Sequence, residues 1–295
     1  MGKRTSKINT CGFFNVDKPS GILSSTVVNK LKWLTGMPCG HMGTLDPLAS
    51  GVLPIGAGNA TRLFDYFLEK EKEYVAEFTF GVDSDTLDST GQLILGGRIP
   101  SEDEIAKVLP TMCGEVMQLP PKYSAKNVGG KRGYELARAG VEFELQPKKI
   151  VVHDMSVLGQ VNETTFRVKI RCGGGTYIRS IGRDLAAALD THAVMSALRR
   201  TQSGIFVESN AIPFSVFEAD PTPAELEKYI LPTDSVLPYE ALTVSSKNHT
   251  KLLNGMKVAV DAQDGLYKFY NEDGSFYGLA EVQGGLAKLK TKLCL

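Results

Sequence analysis

His41-Met42-Gly43-Thr44-Leu45-Asp46-Pro47-Leu48-Ala49-Ser50-Gly51 is the stretch on which the reading of this chain turns. It lies inside a segment from Gly36 to Gly58 that is rich in glycine and proline. That composition predicts a loop with no continuous helix or strand, since glycine adds backbone freedom and proline removes a hydrogen-bond donor. Long loops inside compact domains are uncommon and usually functional. Pro47 pushes Asp46 away from helical backbone. The glycines allow the main chain to approach a ligand closely. The segment thus offers a carboxylate on non-helical backbone beside His41, Thr44 and Ser50. Taken alone, an aspartate before proline is more often a turn or cap residue than a catalyst. No G-x-x-x-x-G-K-[ST] phosphate loop is present, and Gly56-Ala57-Gly58-Asn59-Ala60 matches only half of a dinucleotide fingerprint.

Outward from this loop the chain alternates strand and helix signals. Gly12–Val16 reads as a strand ended by the turn Asp17-Lys18-Pro19-Ser20-Gly21. Ser24 or Ser25 can cap a helix reaching Trp33. Asn59 can cap a helix running to about Glu71, with Leu63, Phe64, Phe67 and Leu68 as its apolar stripe. Tyr74, Ala76, Phe78 and Phe80 alternate with more polar residues, a strand period. Ser101-Glu102-Asp103-Glu104 is a capping box for a helix toward Met112. Strands are expected at Glu142–Leu145, Lys149–Leu158 and Thr165–Cys172, and a helix at Ser180–Leu189. Ala193–Leu198 is a further apolar run, and Thr222-Pro223-Ala224-Glu225 opens another helix. Beyond Leu237 come a short helix near Lys247–Asn254 and short strands at Leu266–Tyr270, Ser275–Val282 and Leu286–Leu293. They predict a small β-barrel-like module that leans on its neighbour.

The bulk numbers exclude more than they assign. The 295 residues suffice for one large domain with an appendage. Hydrophobic residues make up 42% and charged residues 22%, ordinary for a globular protein. No run approaches the roughly 18 apolar residues of a membrane span. The basic start Met1–Lys7 has no apolar core of a signal peptide behind it. A cytoplasmic protein without membrane contact is expected. The five cysteines are scattered and form no C-x-x-C pair, which argues against a disulfide framework and a zinc site. Basic and acidic residues balance at 33 each, so any nucleic-acid contact must come from local clusters.

Five motifs taken together are more specific. His41–Pro54 resembles the signature of the TruB family, the tRNA pseudouridine-55 synthases. Val16-Asp17-Lys18-Pro19-Ser20-Gly21 resembles that family's first motif, and Lys72-Glu73-Tyr74 its tyrosine motif. Gly173-Gly174-Gly175-Thr176-Tyr177-Ile178-Arg179-Ser180 resembles its arginine motif. Ala197-Leu198-Arg199-Arg200-Thr201 with Ser203-Gly204 resembles the last. All five stand in family order between Val16 and about Phe206.

The resemblance implies an α+β fold: a mixed, mostly antiparallel sheet flanked by helices, with the catalytic loop in a central cleft. It implies a catalytic domain over residues 1–237, with an RNA-clasping insertion at about 120–150. Residues 238–295 resemble the small PUA-like RNA-binding module of these enzymes. The implied reaction isomerises uridine 55 in the T arm of tRNA to pseudouridine. It needs no metal and no cofactor, since the composition of uridine is unchanged. The implied partner is the T-arm stem-loop of tRNA, bound by a monomer with no obligate protein partner. By analogy Asp46 is the essential carboxylate and Arg179 its ion-pair partner, which keeps it oriented and ionised. Attack at C1′, addition to C6 and removal of the 2′ proton are all open to that carboxylate.

The same resemblance gives Tyr74 a place stacked on the uracil, with a role for the C5 proton. Tyr177 and Leu198 would line the base pocket, and Lys18 would lend electrostatic support. His41 would occupy the space left by a flipped base. On their own residues, Tyr74, Tyr177 and Leu198 read equally as core packing, and Lys18 as a turn lysine. Lys122, Lys126, Lys131 and Arg132 lie in a segment of cations, tyrosines and glycines suited to gripping phosphates. Arg199, with Arg200, Lys148-Lys149 and the lysines Lys288, Lys290 and Lys292, forms a second set of RNA-contact candidates. Two other classes compete. One is a non-catalytic RNA-binding or RNA-folding protein on the same scaffold. The other is a glycoside hydrolase, which would need a second paired carboxylate, and none stands out in the motifs.

Overall fold

The computed structural model describes residues 8, 10–68, 70–124 and 127–293. The chain opens with β1 (Gly12–Lys18), α1 (Ser24–Thr35), β2 (Cys39–His41) and β3 (Ser50–Ala57). A 3₁₀ turn at Gly58–Leu63 runs into α2 (Phe64–Leu68), followed by β4 (Lys72–Phe80). Next come the hairpin β5 (Val82–Ser84) and β6 (Leu93–Leu95), α3 (Glu102–Val108) and β7 (Gly114–Gln118). A small hairpin, β8 (Asn127–Val128) with β9 (Lys131–Arg132), leads to α4 (Gly133–Arg138). The long pair β10 (Lys148–Asn162) and β11 (Thr165–Cys172), then α5 (Ile178–Ala188) and β12 (Ala193–Ser203), complete the central part.

The main sheet also takes in β13 (Phe206–Val207), β14 (Ile212–Pro213) and β15 (Leu231–Pro232), with α6 (Phe214–Glu218) and α7 (Pro223–Glu227) between the last two. Its order is β14-β1-β3-β12-β4-β11-β10-β7. Parallel pairing occurs at β1/β14 and β3/β12, and the other pairs are antiparallel. This is a mixed α+β fold with helices against the central sheet. On β4, Lys72, Tyr74, Ala76, Phe78 and Phe80 all face inward, as the alternating pattern predicts. Tyr74, Ala76, Phe78 and Phe80 share one core cluster with Val168 and Ile170 of β11, Leu198 of β12, Ile181 and Leu185 of α5 and Leu31 of α1. The opposite face of β4 carries Glu73 and Glu77, ion-paired across the strand to Lys169 and Arg167.

The Gly36–Gly58 segment is not all loop. Its second half is β3, buried along almost its whole length between β1 and β12. Tertiary pairing overrides the local bias here, and the glycines serve close packing. A Cβ on Gly51 would lie 2.3 Å from the Arg200 carbonyl oxygen, and one on Gly56 would lie 2.6 Å from the Met42 side chain. The remaining loop is short, running from Met42 to Ala49.

Other expectations shift for identifiable reasons. Asn59 does not cap a helix: its amide donates to Leu293 O at 3.0 Å, and the regular α-helix after it spans only Phe64–Leu68. α1 has no side-chain cap, because Ser24 is bonded elsewhere. Glu142–Leu145 forms no strand: Glu142 and Glu144 are exposed, Phe143 and Leu145 are only half-buried, and none of them pairs with another strand among the described residues. α5 begins two residues earlier than expected, at Ile178, so Arg179 stands in its first turn. The capping boxes at Ser101/Glu104 and Thr222/Glu225 are both formed.

Beyond Leu237 the chain builds β16 (Ala241–Val244), α8 (Ser246–Leu253), β17 (Val258–Ala259), β18 (Gly265–Asn271), β19 (Phe276–Gln283) and β20 (Leu286–Lys292). The five strands form a second sheet in the order β16-β18-β19-β20-β17. Its core includes Leu242, Leu252, Phe269 and Val282. Leu279 and Leu293 leave that core and join Phe13, Phe67 and Phe206 of the main part. Arg62 Nη1 donates to Lys292 O at 2.8 Å across the same seam.

Candidate active site

The Met42–Ala49 loop is held by its own carbonyls. Ser24 Oγ donates to Leu45 O at 2.7 Å and accepts from Leu45 N at 3.0 Å. Gly21 N donates to Pro47 O at 2.8 Å, and Ser20 Oγ donates to Leu48 O at 2.6 Å. From the other side the fully buried Arg200 donates through Nη2 to Gly43 O at 3.0 Å and through Nε to Val52 O at 2.7 Å. Buried main-chain polar groups need such partners, and here the partners fix the loop from the β1–α1 turn, α1 and β12 at once. Lys18 is wholly buried, and its Nζ donates to Pro19 O at 2.9 Å and Ile22 O at 2.8 Å. Burial pushes its ammonium down to about 8, while the charge of Asp46 pulls the other way.

Asp46 stands at the open side of this loop with its side chain 39% exposed. Its Oδ2 meets Arg179 Nε at 3.0 Å. Arg179 is itself buried and uses its whole fork. Nη1 donates to Thr86 O at 3.0 Å, Nη2 donates to Tyr123 O at 3.0 Å, and Nη1 lies 3.6 Å from Asp88 Oδ2. A planar guanidinium held at every nitrogen cannot swivel, so it fixes the plane and charge of the carboxylate it touches. The first turn of α5 sets the arginine's origin. Tyr177 precedes that turn, and both its N–H and its C=O are bonded to the Gln118 side-chain amide, at 2.9 and 3.1 Å.

Asp88 is a site residue that sequence reasoning missed. It is buried, and its Oδ1 accepts from Thr86 Oγ1, Thr90 Oγ1 and Thr90 N. The preceding Leu87 has φ of 61°, a left-handed conformation rare for leucine. The local signal is turn chemistry, a run of Ser, Thr and Asp from Ser84 to Gly91. Nothing in that run says that it folds over α5.

Tyr74 lies on β4 with Ile170 opposite it on β11 and Arg200 opposite it on β12. It is almost fully buried. Burial pushes its phenol above the usual range, and the charge of Arg200 opposes that shift. Leu198 is buried in the same cluster as Tyr74, Leu45 and Ile178. His41 sits on β2 opposite Ile55. Burial, followed by the charge of Arg200, holds its imidazole below the ordinary histidine value, so it is neutral at neutral pH. Its Nδ1 is buried and has no hydrogen-bond partner among the described residues. The structure therefore brings Asp46, Arg179 and Asp88 into contact, with Lys18, Tyr74 and His41 within electrostatic reach of the loop and Arg200.

The basic candidates divide differently. Arg200 cannot reach a phosphate, since it is buried and committed to the loop carbonyls; its place as an RNA contact is corrected. Arg199 points to the other face, between Asp17 at 3.0 Å and Glu208 at 2.5 Å. Lys122 is exposed. Lys126 lies outside the described residues, as do the side chains of Lys131 and Arg132. Lys149 and Lys290 are ion-paired with Glu115 and Glu281.

Comparison with known proteins gives concordant matches. A family model described as "TruB family pseudouridylate synthase (N terminal domain)" matches residues 32–178. Another, "tRNA pseudouridylate synthase B C-terminal domain", matches residues 179–238. The chain is 35% identical over 279 residues to tRNA pseudouridine synthase B of Caldanaerobacter subterraneus subsp. tengcongensis, covering 92% of this chain and 95% of that one. It is 38% identical over 278 residues to the enzyme of the same name from Clostridium novyi, covering 91% and 94%. Among solved structures, the archaeal box H/ACA sRNP Nop10-Cbf5 complex superposes with a TM-score of 0.70 at 22% identity, over 96% of this chain and 86% of that one. An H/ACA RNP bound to a substrate RNA containing 2′-deoxyuridine gives 0.69 at 23% identity, over 96% and 85%. These two likenesses concern the fold.

Proposed function

The chain belongs to the TruB family of pseudouridylate synthases, and from that premise we propose that it converts uridine 55 in the T arm of tRNA to pseudouridine. The observation that carries this reading is the carboxylate of Asp46, half-open to solvent, on a loop clamped from three elements and paired with a buried, fully bonded Arg179. The reaction breaks N1–C1′, turns the uracil and joins C5 to C1′; C5 gives up its proton to solvent and N1 takes one from water, so the composition of the base is unchanged. An ionised, oriented carboxylate is the central need, as nucleophile or base. Arg179 engages Oδ2 and leaves Oδ1 for the chemistry.

The surroundings support the rest of the assignment. A uridine in a folded arm must leave its stack to reach this loop. Tyr74 offers its ring to the extruded base and its hydroxyl to the C5 proton. Leu198 and Tyr177 close the base pocket, and the neutral His41 fills the space in the loop that the base vacates. The second sheet acts as a PUA-like module gripping tRNA beyond the target loop, together with the 120–150 segment. Shape and unstacked loop bases give recognition. The hydrolase alternative is disfavoured by Asp88. It is the second carboxylate such chemistry requires, but it is buried, with Oδ1 bonded three times and Oδ2 turned to Arg179.

The test uses a T-arm transcript labelled with tritium at C5 of uridine. Wild-type protein releases the label and leaves the RNA mass otherwise unchanged, and Asp46→Asn releases none. An inactive wild type sinks the function, and an Asp46→Asn variant at full rate sinks the assignment of the carboxylate.

A further inference from the structure

Among the described residues Arg200 is the largest fully buried side chain, and none of its described hydrogen bonds goes to a carboxylate. A buried guanidinium is costly unless every N–H is engaged. Here the partners are main-chain oxygens of two neighbouring segments: Val52 O of β3, and Gly43 O and Thr44 O of the loop that carries Asp46, at 2.7, 3.0 and 3.5 Å. On its other side, β12 and β4 set Arg200 and Tyr74 directly opposite each other in an antiparallel pair. Opposed residues on one face of such a pair hold their side chains about 5 Å apart at Cβ. That register sends both side chains into the same buried layer, where the charge of Arg200 acts on the Tyr74 phenol. The approach is made possible by Gly51, whose bare α-carbon, at φ of 99°, lets β3 pass against the Arg200 backbone.

Arginine can only donate hydrogen bonds. Toward Arg200 the Tyr74 oxygen can therefore act only as an acceptor, which turns its own hydrogen away from the guanidinium. We infer that Arg200 is a positioning residue which sets the direction of the Tyr74 hydroxyl and couples it to the loop that holds Asp46. This rests on the function proposed above. It does not touch the substrate: it acts through Tyr74 and through the carbonyls of Gly43 and Thr44. Its charge opposes part of the burial that raises the Tyr74 phenol. Lys72, a second buried cation on the same face of β4, lies on the same side of the loop, its Cε 3.8 Å from where a Gly43 Cβ would be.

The experiment is a double-mutant cycle of Arg200→Lys and Tyr74→Phe, read by single-turnover tritium release from the T-arm RNA and by RNA Kd. Lysine keeps the charge without the fork. Arg200→Lys is expected to slow release at least tenfold with Kd changed less than threefold. In the Tyr74→Phe background the same change is expected to slow release less than threefold. Residues acting as one unit show such non-additivity, whereas independent structural losses add. Equal losses in both backgrounds overturn the inference and leave the proposed function standing; a wild type without activity overturns both. Should Arg200→Lys not fold, the side-chain nitrogen resonances of Arg200 are compared between wild type and Tyr74→Phe. A shift supports the contact, and unchanged resonances overturn it.

Discussion

Replacing Arg179 by lysine keeps the charge beside Asp46 and removes the fork, and its cost can be worked out from the contacts. Arg179 uses Nε for Asp46, Nη1 for Thr86 O and Asp88, and Nη2 for Tyr123 O, in three directions in one plane. A lysine has a single nitrogen and can serve one of these directions well. With its ammonium at Asp46, the carbonyls of Thr86 and Tyr123 lose their donor. Each buried unsatisfied group costs about 1–3 kcal/mol. Partial rescue by relaxation and water leaves a net loss of about 2–4 kcal/mol, which lowers Tm by roughly 3–6 °C for a protein of this size. Asp46 also loses its fixed plane, and a misplacement of about 1 Å costs on the order of 10²-fold in rate. Calorimetry and single-turnover tritium release measure both. A variant that melts within 1 °C of wild type and reacts within threefold of its rate refutes the claim that the fork organises the carboxylate.

Other perturbations follow from the same geometry. Asp88→Asn puts either an amide N–H or a rotated oxygen against Arg179 Nη1, and the rate should fall while RNA Kd holds within threefold; filter binding beside the activity assay decides this. Ser24→Ala removes both bonds to Leu45 and should destabilise by about 1–3 kcal/mol in urea titrations, with a larger loss of activity than of RNA affinity. An unchanged urea midpoint would contradict it. Gly51→Ala forces a β-carbon against Arg200 O at positive φ, and a cost of about 3 kcal/mol or more is expected as lost soluble yield or a much lower Tm. Burial lowers Lys72 from 10.5 to about 8, so between those values the unfolded chain holds more protons than the folded one. Stability contributed by Lys72 therefore rises with pH from about 8 to 10.5. The stability difference between wild type and Lys72→Met should shift in favour of wild type from pH 7.5 to pH 10, and a flat difference would be the contrary result.

Local sequence carried much of the fold because several elements are self-announcing. β4 follows from strict alternation between Lys72 and Phe80, and the two capping boxes from their own side chains. β3 was hidden because Gly51, Pro54 and Gly56 contradict strand propensity one at a time. Only the neighbours that need a bare α-carbon explain them. Ser24 shows the same limit at a single residue: a cap by local rule, it is instead the clasp of a loop 21 residues away. Within the site, Asp46 and Arg179 were readable only through the company of five ordered motifs. Their 3.0 Å contact joins a loop after β2 to the first turn of α5.

By itself the sequence determined the residue types and their local setting: Asp46 on non-helical backbone before Pro47, the arginine of the Gly-rich motif, and Tyr74 on an inward-facing register, with the ordered motifs singling them out as the candidates for chemistry. These depend on side-chain identity and short-range periodicity, which are written locally. The tertiary structure alone decided how the charges are arranged. It turned Arg200 inward and Arg199 outward, although they are adjacent, because successive strand residues face opposite sides of the sheet and β12 is central. It also brought Asp88 beneath Arg179 from a separate turn. Coulomb and hydrogen-bond partners are set by distance in space, and distance in space is fixed only when the sheet closes around them.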